Sequence, residues 1–247
     1  MKPILIYPIG STAACRYAAI YLNRQGIAIV DHPTPDATHL LLDVPSFGND
    51  GLLRGGQDLA RVLEMLPSYI TVIGGNLDHP ALDGYRTIDL LQEEDYLCKN
   101  AAITAECALQ EAASHLSTTF ADTPTLIIGW GRIGKCLGRL LRSLGCDVTI
   151  AARNPAHRAM AQALGYPTIE PSKLAGNFRL IFNTAPAQVL DPVTLAKFRD
   201  SVKVDLASRK GMDGDDVVWA RGLPGLYAPE SSGRLIGQRV MARIKEA

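Results

Sequence analysis

The segment Thr125-Leu-Ile-Ile-Gly-Trp-Gly-Arg-Ile-Gly134 limits the fold of this 247-residue chain more than any other stretch. An apolar run stops at Gly129, and Gly129, Gly131 and Gly134 give the spacing G-x-G-x-x-G. An amphipathic stretch, Ile133 to Leu144, follows at once. Each glycine answers a separate need. Gly129 lets a strand turn sharply, Gly131 lets backbone N–H groups approach a pyrophosphate, and Gly134 lets the helix pack close to the sheet. The phosphates then meet a helix N-terminus, where unpaired N–H groups and the macrodipole favour negative charge. Strand, glycine turn and helix together predict a dinucleotide-binding unit, with Trp130, Arg132 and Ile133 as the turn's other cofactor residues.

The next strand bears on which dinucleotide. Cys146-Asp-Val-Thr-Ile-Ala-Ala-Arg153 follows Gly145 and alternates Val148 with Ile150. NAD sites end this strand in Asp or Glu, which accepts a hydrogen bond from the ribose 2′-hydroxyl. Here it ends in Ala151-Ala152-Arg153-Asn154, with no acid. A guanidinium at that tip suits a 2′-phosphate. Arg153 and Asn154, with Arg132 in the glycine loop, predict NADP rather than NAD.

Composition narrows the remaining classes. Twenty-five Lys and Arg balance twenty-five Asp and Glu. A neutral chain without a basic cluster is a poor partner for nucleic acid or an anionic membrane. No stretch approaches the roughly 20 apolar residues of a spanning helix, and a soluble, cytoplasmic protein is expected. The five cysteines contain no C-x-x-C pair, and the five histidines follow no ligand pattern, so no metal site is expected.

Short apolar runs alternate with helical periodicity over residues 1–92, predicting a smaller N-terminal α/β domain of flavodoxin-like type. Strands are expected at 3–7, 27–30, 39–43, 70–73 and 85–89, with helices at 13–24 and 57–66. An Ala-rich helical connector occupies 93–120. A Rossmann domain, a doubly wound parallel sheet, takes 121–230, and a closing helix takes 231–247. Within the Rossmann domain, further strands are expected at 180–183, 202–206 and 223–227, with helices at 155–164, 192–199 and 215–221. Two α/β lobes imply a cleft between them as the place for a small substrate.

Ligands in such sheets bind at the carboxyl ends of strands. Three ends carry unusual residues: Asn183-Thr184-Ala185-Pro186, then Asp205-Leu206-Ala207-Ser208-Arg209-Lys210, then the Gly/Pro-rich run 222–233. The first two are read as a ring of donors about a nicotinamide, with Leu206 and Ala207 against the cofactor. Ser231 and Ser232 are expected to cap the last helix, whose N-terminus suits a carboxylate. In the connector, Asn100, Thr104 and Glu106 fall at intervals that let some share one helical face. Glu106 and Asp205 are the candidate proton acceptors. The competing interpretations are a loop cap for Asn183 and Thr184, a solvated turn for Arg209 and Lys210, and an amphipathic linker with polar outer residues for the connector.

Taken in order, Glu94-Asp95, Asn100-Ala, Thr104-Ala-Glu106, the glycine turn, Ala152-Arg153, Asn183-Thr-Ala-Pro186, Val204-Asp-Leu-Ala-Ser208 and Leu223-Pro-Gly-Leu-Tyr-Ala-Pro-Glu-Ser-Ser-Gly233 resemble the family of dipicolinate synthase A subunits. The match is dense from about Asp89 onward. The resemblance implies the two-lobe architecture of 2-hydroxyacid dehydrogenases. It also implies oxidation of a dihydrodipicolinate-type dicarboxylate to dipicolinate with NADP, in the mother cell of a sporulating bacterium. The implied partner is the flavoprotein-like B subunit of dipicolinate synthase, and a homo-oligomer is expected. For a flat ring with two carboxylates, Ser208, Arg209 and Lys210 would hold one end and Ser231 and Ser232 the other. Asn100, Thr104 and Glu106 would line the facing side. The chain departs from the family at Arg209–Gly214 and at Glu230-Ser-Ser-Gly233, where a Glu near an anionic substrate is repulsive unless it points away. Two rivals are a D-2-hydroxyacid dehydrogenase and a non-catalytic NADP-binding module. The first expects a His after the Pro of the last loop, and here Glu230 follows Pro229.

Overall fold

The computed structural model describes residues 3–246. The chain divides into two compact units, one running to Asn100 and taken up again from Pro224, the other spanning Ala101–Leu223.

The first unit carries strands β1 (Leu5–Pro8), β2 (Ala28–Ile29), β3 (His39–Leu41), β4 (Thr71–Gly74) and β5 (Arg86–Asp89). Every pairing is parallel, in the order β2-β1-β3-β4-β5. That order is the flavodoxin-like one. Helix α1 (Ala13–Arg24) is capped by Thr12 and stops before Gly26, whose φ of 86° lets the chain reverse. Helix α2 is only Leu59–Glu64, shorter than its apolar pattern predicts. Helix α3 (Glu94–Ala113) follows β5 and begins with Glu94 and Asp95, acids suited to a helix N-terminus.

The second unit holds β6 (Thr125–Ile128), α4 (Arg132–Ser143), β7 (Val148–Ala151), α5 (Pro155–Ala163), β8 (Thr168–Ile169), β9 (Leu180–Asn183), α6 (Pro192–Leu195), β10 (Val202–Asp205) and β11 (Val217–Trp219). Its parallel sheet has the order β11-β10-β9-β6-β7-β8. Counted from β6 and read from the β8 edge, this is 3-2-1-4-5-6, the Rossmann arrangement. Leu126, Ile127 and Ile128 are all buried, as a central strand covered on both faces requires.

The chain ends with α7 (Leu223–Tyr227) and α8 (Pro229–Glu246). Three expectations are corrected here. Residues 223–227 form a helix, not a strand: Gly222 turns the chain at φ 68°, and Pro224 in the first turn is preset for helical φ. Residues 215–221 hold strand β11, not a helix, because Val217-Val218-Trp219 is β-branched and aromatic and extends the sheet beside β10. The last helix starts at Pro229, which places Ser231 and Ser232 inside its first turn rather than at its cap.

α8 packs on α1 within the first unit. Gly233 and Gly237, four apart, make the contact possible. A Cβ on Gly233 would collide with Tyr17 and the backbone of Ala14 and Ala18, and one on Gly237 would meet the Tyr21 ring. Small residues at that spacing let two helix backbones approach closely. The same helix is tied to the start of α3 by Arg239, which donates to Glu93, and by Arg243, an ion pair with Glu93 Oε1 at 2.8 Å. Among the described residues, no helix is long and apolar enough to cross a membrane.

Candidate functional site: the carboxyl edge of the second sheet

The glycine turn of the second unit has the geometry its spacing predicts. Gly129 sits at φ 102°, a conformation in which a side chain is strained. A Cβ on Gly134 would run into the carbonyl of Gly129, so α4 lies against the turn. Around Gly131 the opposite holds: a Cβ there meets nothing within 4 Å. Gly131 is also the cap of α4, with no side chain to take up the first N–H groups and no acid in the first turn. A 12-residue helix thus presents an uncapped, positively polarised end to open space. Arg132 is exposed and Ile133 half-buried at its start. This cradle fits a pyrophosphate.

Trp130 takes a structural position. It is 3% exposed, packs edge-on against Tyr166 with centroids 5.2 Å apart, and lies over Gly138 of α4. Arg142 stacks on Tyr166 as well, its Cζ 3.6 Å from the centroid, and donates to the carbonyls of Leu164 and Gly165. The expected cofactor contact of Trp130 therefore reduces to its backbone.

The equivalent corner of the first unit is closed by the chain itself. The N–H and hydroxyl of Ser11 donate to Asp43 Oδ2 at 2.8 and 3.2 Å, and those of Thr12 to Oδ1 at 3.1 and 2.5 Å. Thr12 then caps α1 by accepting from the Cys15 N–H. A buried carboxylate of the chain fills the anion position there. Burial, with the Asp43 charge adding to it, pushes the neighbouring Cys15 thiol up to about 12.

At the tip of β7, Arg153 is exposed and Asn154 caps α5, accepting from the Ala156 N–H at 2.9 Å. Asn154 is thus engaged by its own helix. Arg158, which belongs to no sequence motif, donates to the carbonyls of Ala152 and Arg153 at 2.6 and 2.8 Å. It holds the loop that presents the Arg153 side chain.

The strand ends are cross-tied. Thr184 donates through both its N–H and its hydroxyl to the Ile128 carbonyl, and its Oγ1 is the atom that a Cβ on Gly129 would strike. Asn183 is fully buried. It accepts from the Ala185 N–H at 3.0 Å and donates to Asp205 Oδ1 at 2.9 Å and to the Ala185 carbonyl. Asp205 is fully buried too, and Ala207 N–H also donates to its Oδ1, while the Gly211 and Met212 N–H groups donate to Oδ2. With four donors on two oxygens and no exposure, this carboxylate anchors two loops. The expectation that Asp205 accepts a proton is corrected: its lone pairs are in use. Asn183 likewise shapes its loop rather than facing a ligand, whereas Ala185 is half-buried and Pro186 exposed beside it.

Beyond Asp205, Leu206 and Ala207 are buried, and Ser208, Arg209 and Lys210 are exposed on the loop that follows. Lys203, hidden in β10, reaches Asp216 at 2.6 Å, a pairing no motif signals. On α3, Asn100 and Thr104 are four apart and share a face, both half-buried. Glu106, two residues past Thr104, lies about 200° round the helix and is exposed. The sharing of one face therefore holds for Asn100 and Thr104 and not for Glu106. On α8, Ser232 is 6% exposed with no hydrogen-bond partner for its Oγ, and Ser231 is half-buried. Glu230 is exposed in the first turn, where a carboxylate favours the helix.

No family model matches the chain. Among curated proteins it is 26% identical over 201 residues to the dipicolinate synthase A subunit of Bacillus subtilis (strain 168), covering 74% of this chain and 68% of that one. The chain is similar to a dipicolinate synthase A subunit. Among solved structures, the dipicolinate synthase A subunit from Bacillus halodurans superposes with a TM-score of 0.85 at 20% identity, over 100% of this chain and 99% of that one. The D-lactate dehydrogenase of Escherichia coli shares the fold more distantly, with a TM-score of 0.60 at 14% identity over 98% and 97% of the two chains.

Proposed function

We propose that this chain is an NADP-dependent oxidoreductase that oxidises a dihydrodipicolinate-type dicarboxylate to dipicolinate, as the A subunit of a dipicolinate synthase. The observation that carries the proposal is the open, uncapped N-terminus of α4 behind Gly131, in a chain similar to a protein of that name. The turn Gly129-Trp130-Gly131-Arg132-Ile133-Gly134 holds the pyrophosphate, and the loops at Asn183–Pro186 and Leu206–Ala207 border the nicotinamide half. Arg153, with no acid beside it at the end of β7, takes the 2′-phosphate in a charge-assisted bond. Bound there, the nicotinamide supplies the acceptor for a hydride.

The protein's own contribution is alignment and charge. Exposed Ser208, Arg209 and Lys210, on the loop after β10, receive a carboxylate of the substrate. Loss of a hydride and a proton makes the ring aromatic, so water suffices as proton acceptor and neither Asp205 nor Glu106 is needed for it. A flavoprotein-like B subunit is the proposed partner, and the setting is the cytoplasm of a sporulating mother cell, with the chain as a homo-oligomer.

An anaerobic assay with NADP⁺ and freshly generated dihydrodipicolinate, read at the NADPH absorbance band, tests the proposal. Turnover of this compound and not of simple 2-hydroxyacids is expected. Tight nucleotide binding without turnover, whether or not the B subunit is present, leaves only a nucleotide-binding module. For the cofactor, Arg153→Asp is expected to weaken NADP⁺ binding about tenfold or more and to favour NAD⁺. Equal affinity of the wild type for both nucleotides overturns the choice of NADP.

A further inference from the structure

The carboxyl edge of the second sheet carries an aromatic group that no motif announces. In the ladder, Trp219 pairs with Asp205, Asp205 with Asn183, and Asn183 with Ile128, the residue before the glycine turn. Trp219 is thus on the same rung as the turn, three strand spacings away, about 14 Å. Ligands of such sheets lie outside this edge. The indole is fixed: its N–H donates to the carbonyl of Ala207 at 3.1 Å. Ala207 immediately precedes the exposed Ser208, Arg209 and Lys210. Arg221 lies over one face of the same ring, its Cζ 5.2 Å from the centroid, which leaves the opposite face for a ligand. Yet Trp219 keeps 44% of its surface in solvent, whereas the chain's other tryptophan, Trp130, is buried at 3%.

A ring held rigid by a backbone bond and left open serves little packing purpose. It offers a flat, electron-rich surface, with cations next to it in space and in sequence. The geometry points to Trp219 and Arg221 as a substrate subsite: the indole stacks against a flat, electron-poor heterocycle, and the guanidinium meets one of its carboxylates. This assignment rests on the proposed function and adds to it a determinant of substrate shape. A non-planar hydroxyacid gains nothing from the stack, so the subsite selects for the ring. Trp219 and Arg221 bind and position; they move no proton.

The test is calorimetric titration of the whole chain, loaded with NADP⁺, with pyridine-2,6-dicarboxylate as the probe. Trp219→Leu is expected to weaken the probe about tenfold and to leave NADP⁺ affinity within about twofold, while Trp219→Phe recovers most of the loss. Arg221→Gln, at an exposed position that does not endanger folding, is expected to weaken the probe without changing the thermal midpoint. In the assay with dihydrodipicolinate, both Trp219→Leu and Arg221→Gln should raise KM more than they lower kcat. Wild-type affinity for the probe in both variants overturns the subsite and leaves the proposed function standing. A wild-type chain that binds NADP⁺ but not the probe overturns the proposed substrate and the subsite with it.

Discussion

At the scale of single residues, the three glycines of the turn separate what the fold needs from what a ligand needs. Gly134 has the Gly129 carbonyl against it, and Gly131 has nothing. Gly134→Val is therefore expected to cost about 1–3 kcal/mol in stability, because α4 must move off the turn. Gly131→Ala should cost less than about 1 kcal/mol, the difference between Gly and Ala at a helix cap, and yet weaken nucleotide binding. Paired denaturant melts and nucleotide titrations check both halves, and an unchanged affinity for Gly131→Ala removes Gly131 from the cradle. Cys15 yields a second prediction. Its thiol is pushed up to about 12 by burial and by Asp43, so the folded chain keeps the proton while the unfolded thiol loses it near 9. The folded state then binds more protons, and this contribution to stability declines as pH rises above about 9. Cys15→Ser should flatten that part of the stability profile, and exposed Cys98 should react with an alkylating reagent at neutral pH while Cys15 does not.

Between elements, the ties at the ends of β9 and β10 decide which loops are rigid. Asp205 collects four donors from three segments of chain, so Asp205→Ala leaves buried N–H groups with no acceptor. A loss of at least about 3 kcal/mol is expected in a chemical melt. A loss under about 1 kcal/mol would show the network to be dispensable. These ties also explain what the sequence conveys and what it hides. Asn183 and Asp205 stand out as polar residues at strand ends, which locates the edge correctly. Nothing local says that their side chains face each other, since the bond joins residues 22 apart. The order of strands around the glycine turn is legible because β6, α4 and β7 are contiguous and strongly patterned. The tail is not, because seven residues with Val-Val-Trp fit a helix or a strand equally until a neighbouring strand is present. The pair Gly233 and Gly237 is silent for the same reason: a close approach has no meaning until the facing Ala14 and Ala18 are known. Arg158 and Trp219 too acquire a role only through partners outside their own segment.

Across the whole molecule, two parallel sheets of related design differ in what they do with a helix end. One leaves it to a ligand, and the other fills it with Asp43. Equilibrium binding should therefore saturate at one dinucleotide per chain, and a second site of comparable affinity would contradict the assignment of that corner to Asp43. The path of the backbone matters as much. Because α8 lies on α1, the first unit is incomplete without the segment that begins at Pro224, although its sheet is not, whereas the second unit is one unbroken stretch. During synthesis the usual order is reversed: the second unit has all it needs once Leu223 is made, and the part made first must wait for the segment from Pro224 onward before the face of α1 at Ala14, Ala18 and Tyr21 is covered. A premature stop just before Pro224, or a slow codon there, would leave an intact second unit joined to an unfinished first one.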